Sequence, residues 1–117
     1  MGHKITHIEL SANDHQAAAR FYEAVFGWQT QEFPGMNYTT FSASEGGPSG
    51  GLNPIQEGNP AGTTVVYIET DDVEASLAAV EAHGGQRLMP PTEVPGVGTI
   101  AQFTDPTGNR MALLKHA

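Results

Sequence analysis

ITHIELSANDHQAAARFYEAVFG, Ile5 to Gly27, is answered 58 residues later by TTVVYIETDDVEASLAAVEAHGG, Thr63 to Gly85. At that offset Asp14 falls on Asp72, Ala17 on Ala75, Glu23 on Glu81, Ala24 on Ala82 and Gly27 on Gly85. The apolar pair Ile8 and Leu10 falls on Val66 and Ile68. Each stretch reads as strand, acidic turn, helix and glycine stop. A repeat of this length is one supersecondary unit that cannot bury its own apolar face alone. Two units account for the 117 residues, which is one domain's worth of chain.

Working outward, Ile5 to Leu10 alternates, with Ile8 and Leu10 on one face and His7 and Glu9 on the other. Asn13 or Asp14 caps the following helix. Ala18, Phe21, Tyr22, Val25 and Phe26 share one face of it, and Gly27 ends it. Trp28 to Phe33 and Tyr38 to Ala43 read as strands about a Pro34-Gly35 turn, with a weak fourth strand at Leu52 to Gln56. Trp28 and Phe33 read as core, or as residues at the mouth of a cavity. The glycines of GGPSGG, Gly46 to Gly51, do not follow a strand and open a helix as a phosphate loop would. They read as a flexible flap.

Glu57 to Gly62 is a turn-rich linker. After it, Thr63 to Thr70 is a strand, and Asp71 or Asp72 caps a helix, with Glu74 three residues after Asp71 as in a capping box. Val73, Leu77 and Val80 form its buried stripe, and Gly84-Gly85 stops it. Gln86 to Met89 starts another strand, and Val97 to Thr104 with Asn109 to Lys115 makes a hairpin across Asp105-Pro106-Thr107-Gly108. The order is βαβββ twice: an α+β chain, module one about 1–58 and module two about 59–117. A sheet with a helix on one face leaves its other face without a partner. Two such sheets predict an open cup-shaped mixed sheet with the helices outside. Parity then sends His7, Glu9, Tyr67 and Glu69 into the cup.

Composition narrows the partners. The chain carries 13 acidic and 5 basic residues, a net charge of −8. That field repels nucleic-acid backbones and anionic membranes. The acidic residues are spread along the whole chain, so solubility explains them as well as attraction of a cationic ligand does. With no cysteine there is no disulfide, thiolate metal site or cysteine nucleophile. No apolar run approaches a membrane span and no secretory-type leader is evident, so a cytoplasmic location is the default expectation.

The paired βαβββ order, together with HIELSANDHQAAARFYEAVFGW (His7 to Trp28), VYIETDDVEASLAAVEAHGG (Val66 to Gly85) and TEVPGVGTIAQFTDPTGN (Thr92 to Asn109), resembles the vicinal oxygen chelate superfamily. That superfamily takes in glyoxalase I, bleomycin-resistance proteins, fosfomycin-resistance enzymes and extradiol dioxygenases. The chain looks most like the single-domain branch described as lactoylglutathione-lyase-related. The fold hosts many reactions and does not choose among them.

In the metal-dependent members the resemblance places a first-strand ligand seven residues before the acidic turn, which is His7. Its repeat partner is Val65, and the last-strand carboxylate position falls on Ala112. Neither side chain can coordinate an ion, and the strand near Leu52 to Pro54 offers no carboxylate or imidazole. A catalytic metal site needs about three protein ligands. No cofactor is therefore expected, and a divalent metal is disfavoured. It survives only as a rearranged set in which His7 and Glu9, roughly 7 Å apart along the strand, recruit Glu69 or Tyr67.

The leading expectation is a metal-free small-molecule-binding protein similar to the bleomycin-resistance proteins. Its ligand contacts would be His7, Glu9, Tyr67, Glu69, Ala112 and Leu114. The alternative is a glyoxalase-related lyase, isomerase or dioxygenase, with His7 or Glu69 as general acid/base or with a non-standard metal set. A regulatory or structural protein with a vestigial cup is a further one. Against a functional role, His7 reads equally as a relic that bonds locally. His3, His15, His83 and His116 read as uninformative, with His15 and His116 solvated. Relatives with one such module pair per chain imply a homodimer.

Overall fold

A computed structural model describes residues 2–117. Ten elements follow one another: β1 (Ile5–Ala12), α1 (His15–Phe26), β2 (Gln29–Phe33), β3 (Tyr38–Ser42), β4 (Ser49–Pro54), β5 (Thr64–Glu69), α2 (Val73–Ala82), β6 (Gln86–Val94), β7 (Gly98–Thr104) and β8 (Arg110–His116). This is α+β, and it is βαβββ twice. The chain gathers into two compact units, His7–Val65 and residues 2–6 with Val66–Ala117. No helix among the described residues is long and apolar enough to cross a membrane.

In the first unit the strands lie in the order β2-β3-β4-β1. β4 runs antiparallel to β3 and parallel to β1, with His7 opposite Ser49, Glu9 opposite Gly51 and Leu10 opposite Leu52. Asp14 caps α1, its carboxylate accepting from the Ala17 amide at 3.0 Å. Gly27 closes the helix at φ 71°, a left-handed conformation that glycine adopts without penalty. The core joins Ala19, Phe41 and Leu52 to Leu10, Ala12, Ala18, Tyr22 and Trp28. Leu10 thus goes under the helix as alternation requires.

The helical stripe itself is rotated from the expected one. Phe21, Val25 and Phe26 stay more than half exposed, and Ala19 takes the buried position. The apolar arc of α1 is wider than the surface it covers, and of its apolar side chains Ala18, Ala19 and Tyr22 join the core against the sheet. There Trp28 stacks between Tyr22 and Phe41, with ring centroids 4.8 and 4.7 Å away, which makes Trp28 a core residue.

The GGPSGG segment is not a flap over its full length. Ser49, Gly50 and Gly51 belong to β4, and both glycines are buried. A Cβ on Gly50 would overlap the Phe41 ring, and one on Gly51 would overlap the Tyr38 hydroxyl. These glycines let two aromatic side chains lie flat on the sheet, a packing role that is silent in the sequence.

The second unit repeats the topology with the order β5-β8-β7-β6. β5 and β8 are parallel, pairing Tyr67 with Ala112, Ile68 with Leu113 and Glu69 with Leu114. Its core joins Val73, Leu77, Ala101, Phe103 and Leu113, with Ile68, Val80 and Met111 against them. Leu77 is fully buried, which contributes about 1.5–3 kcal/mol relative to exposure. Asp72, and not Asp71, caps α2 by accepting from the Ala75 amide at 3.0 Å. The expected capping box therefore fails. Glu74 instead accepts from both terminal nitrogens of Arg87, at 2.7 and 3.1 Å, while Glu81 takes the Arg87 Nε–H at 2.9 Å.

β6 runs on to Val94 through Pro90-Pro91, with register shifts between Arg87 and Thr92. It is the outer strand of that order, where a proline's missing N–H costs no ladder bond.

Candidate functional site

β1 carries the predicted residues of the first unit. His7 and Glu9 stand two residues apart and so share a face, opposite the one that Leu10 sends to the core. Both side chains are mostly buried, 16% and 19% exposed. His7 Nδ1 lies 2.7 Å from Ser49 Oγ on the paired strand β4. On its other side, His7 Nε2 lies 4.0 Å from Glu9 Oε2 and 3.5 Å from the Tyr38 hydroxyl. Tyr38 donates to Glu9 Oε2 at 3.2 Å. Its ring leans over Gly51, which sits opposite Glu9 in the β1–β4 ladder. Serine, imidazole, phenol and carboxylate thus form one cluster from three strands.

Tyr38 and Ser49 were not among the sequence-derived candidates. The register of a short, glycine-rich strand places them, and the glycine-rich run hides that register. The alternation of Tyr38 to Ala43 could have put Tyr38 on one face, but not against which partner.

The remaining candidates lie in the second unit. Glu69 ends β5 and is held by its neighbours: Oε1 lies 3.0 Å from His116 Nε2, and Oε2 lies 3.7 Å from Lys4 Nζ. Its backbone is tied as well, the carbonyl accepting from His3 Nδ1–H at 2.8 Å and the amide donating to the Lys4 carbonyl at 2.9 Å. His116 also meets Thr6 Oγ1 at 3.1 Å. Tyr67, Ala112 and Leu114 are buried, at 6%, 0% and 4% exposure.

Two histidines expected to be solvated are engaged. His116 is one. The other is His15, half-buried at the start of α1, with Nδ1 2.6 Å from Thr39 Oγ1. A recess of about 240 Å³ between α1 and strands β2 and β3 is lined by Gln16, Arg20, Glu23, Glu32 and Thr39, among others. Its carboxylates are already bonded, Glu32 to Gln16 and Glu23 to Thr30. It lies on the helix face, where Thr39 is buried beside Ala19, and not at the His7 cluster.

The donors do not suit a resident divalent ion of the family type. Val65 and Ala112, at the other ligand positions that the resemblance points to, are buried hydrocarbon. Among the described residues no three His, Cys, Asp or Glu side chains come together in a group that could hold a metal ion. Two donors, His7 and Glu9, fall short of the three that a catalytic site needs.

The chain belongs to the Glyoxalase/Bleomycin resistance protein/Dioxygenase superfamily, whose sequence profile matches residues 4–113. It is similar to the Mycobacterium tuberculosis protein CFP32, 31% identical over 112 residues that make up 91% of this chain and 43% of that protein. It is likewise similar to the anthracycline biosynthesis protein DnrV of Streptomyces peucetius, 38% identical over 90% of this chain and 44% of that protein. The chain spans less than half the length of these curated relatives. Among solved structures, methylmalonyl-CoA epimerase from Mycobacterium tuberculosis superposes with a TM-score of 0.74 at 12% identity, covering 97% of this chain and 87% of that one. At that identity the likeness is one of fold. Members of this superfamily bind small molecules, and many of them bind a divalent metal.

Proposed function

We propose that residues 1–117 form one small-molecule-binding domain that receives its ligand on the polar face of β1, without a resident divalent metal. The observation that carries this reading is the His7–Glu9–Tyr38–Ser49 cluster. It is a set of hydrogen-bonding groups on the sheet face opposite the α1 core, with the His7 and Glu9 side chains mostly buried and Ser49 exposed. Sites for small organic ligands are built this way, with a few placed polar groups among apolar walls. For the second unit, taken by itself, Tyr67, Ala112 and Leu114 are proposed as apolar ligand contacts and Glu69 as a polar one. The similarity to an anthracycline biosynthesis protein favours aromatic and heterocyclic compounds as the first class to try.

A second reading has the same cluster perform metal-free acid–base chemistry, as a lyase or isomerase acting on a carbonyl or enolisable substrate. What favours it is the contact between an imidazole, a phenol and a carboxylate, a set that can take up and return a proton. In it Glu69 is the weaker candidate, since His116 and Lys4 already engage its two oxygens. A dioxygenase reaction would need a metal set that the donors on β1 do not complete. We also propose that the chain pairs with a second copy of itself.

A thermal-shift screen of aromatic and heterocyclic compounds tests the binding reading. Saturable stabilisation, lost in His7→Ala and Glu9→Ala, is the expected result. No shift with any compound class would overturn it. Turnover of a bound compound, abolished in the same variants, would move the assignment to the second reading.

A further inference from the structure

We propose that the recess between α1 and strands β2 and β3 is a second binding site, for a small zwitterion of the α-amino-acid type. In it Arg20 takes the carboxylate of the ligand and Glu23 its ammonium group. The site lies on the helix side of the first unit and is independent of the β1 reading.

Spacing builds one wall. Gln16, Ala19, Arg20 and Glu23 stand at i, i+3, i+4 and i+7, and so share one stripe of α1. Thr30 and Glu32, two residues apart on β2, share a face and build the other. The walls are pinned at both ends. Glu32 Oε2 accepts from Gln16 Nε2 at the N-terminal end of the stripe, and Glu23 Oε2 accepts from the Thr30 hydroxyl at the other. Ala19 and Thr39, both buried, form the floor. The Thr39 hydroxyl is engaged by His15 Nδ1 at 2.6 Å, so the groups left to a ligand are those of the walls.

What the walls leave unused is charge of both signs. Arg20 is the one Lys or Arg between His7 and Val65, a stretch that holds six Asp or Glu. Acids are plentiful, yet the guanidinium makes no hydrogen bond or ion pair among the described residues. An i, i+3 pair on a helix is close enough to bond, but Thr30 holds Glu23 instead. Glu23 and Glu32 are each bonded through Oε2 alone, which leaves Oε1 of both to a ligand.

The class of ligand follows from these charges. A simple anion would meet Glu23 and Glu32, and a simple cation would meet Arg20. A molecule that carries both signs suits both. Positions 20 and 23 are about 5–6 Å apart at Cβ, so the two charged groups must be close together, as they are on one α-carbon. The guanidinium fork matches a carboxylate by two parallel bonds. Volume limits the remainder. The recess of about 240 Å³ is the share of about eight waters, at about 30 Å³ each. That admits an amino acid with a small side chain and falls below the range of drug-sized pockets.

Amide spectra of the ¹⁵N-labelled chain, titrated with alanine, propionate and ethylamine at equal pH and ionic strength, test this. Alanine should move the resonances of Arg20, Glu23, Thr30 and Glu32 saturably. The two probes of single charge should bind at least about tenfold more weakly, the loss expected for one hydrogen bond to a charged group. Arg20→Gln and Glu23→Gln, at exposed positions, should each weaken alanine by a similar factor. Glu23→Gln keeps an oxygen for the Thr30 bond, so its fold is safe should Arg20→Gln prove unstable. Propionate or ethylamine binding as well as alanine would overturn the zwitterion. No saturable shift, shifts confined to β1, or alanine binding unchanged in either variant would overturn the site.

Discussion

Gly50 and Gly51 are adjacent on β4 and serve opposite faces of one sheet. Gly50 makes room for the Phe41 ring on the core side, and Gly51 for Tyr38 on the polar side. Substitution at the two positions should therefore separate stability from site geometry. Phe41 is buried and stacked on Trp28, so it has no room to retreat. Gly50→Ala should lower stability by about 1–3 kcal/mol, the usual cost of overpacking, with the His7 resonances in place. Denaturant melts of the folded variant, read beside its ¹⁵N-histidine spectrum, check this.

Metal binding belongs to the same scale, because it turns on which side chains stand at two positions. Elemental analysis after incubation with zinc, nickel, manganese or ferrous iron should find well below one metal per chain. Near one per chain, lost in His7→Ala, would show that other groups replace the ligands missing at Val65 and Ala112.

At the scale of elements, the turn between β7 and β8 depends on one carboxylate. Asp105 Oδ1 accepts from the Thr107 amide and hydroxyl and from the Asn109 amide, each at 2.9 Å, and Oδ2 accepts from the Asn109 side chain at 2.8 Å. These bonds, those to Asn109 foremost, hold its pKa down to about 2 from an ordinary 3.8. A depressed carboxylate stabilises the fold only while the unfolded chain would also be ionised. The contribution of Asp105 is thus full above about pH 3.8 and lost as the pH falls toward 2. Acid titration of the hairpin amides should show this, and Asp105→Ala should remove the dependence.

Helix α1 offers a second test: Asp14→Ala removes the bond to the Ala17 amide and should cost about 1 kcal/mol.

The sequence states such local matters openly. Caps, glycine stops, the Asp105 turn and the strand parity of Leu10 and Ile68 all follow from one residue and its near neighbours. Gln86 to Met89 was the visible start of a strand that continues through Pro90-Pro91, because an outer strand tolerates prolines that a central one would not. The rotation of α1, the seating of β4 and the approach of Tyr38 and Ser49 to His7 depend on which surface covers which. No period in the sequence encodes that. The face of β1 that carries His7 and Glu9 is legible in the sequence, whereas the approach of Tyr38 from β3 and Ser49 from β4 is not.

At the scale of the whole molecule, the repeat becomes informative where it breaks. The offset that carries Asp14 onto Asp72 carries Phe21 onto Ala79, Val25 onto His83 and Phe26 onto Gly84. A βαβββ unit therefore folds without large apolar groups at these three positions, yet α1 keeps them, and keeps them more than half exposed. Single exposed apolar residues are ordinary, whereas three neighbours on one helix end form a patch.

A second copy of the chain is the partner proposed above, and this patch is the apolar surface that pairing would remove from water. The net charge of −8 on each copy opposes pairing at low ionic strength. Salt screens that repulsion and leaves the apolar term in place. Light scattering should therefore find a dimer that tightens as salt rises from about 10 to 150 mM. Phe21→Ser with Val25→Ser should shift it toward monomer without loss of fold, because neither side chain belongs to the α1 core. A wild-type monomer at every salt concentration would remove the homodimer. A dimer indifferent to the double substitution would keep the pairing and move its surface away from α1.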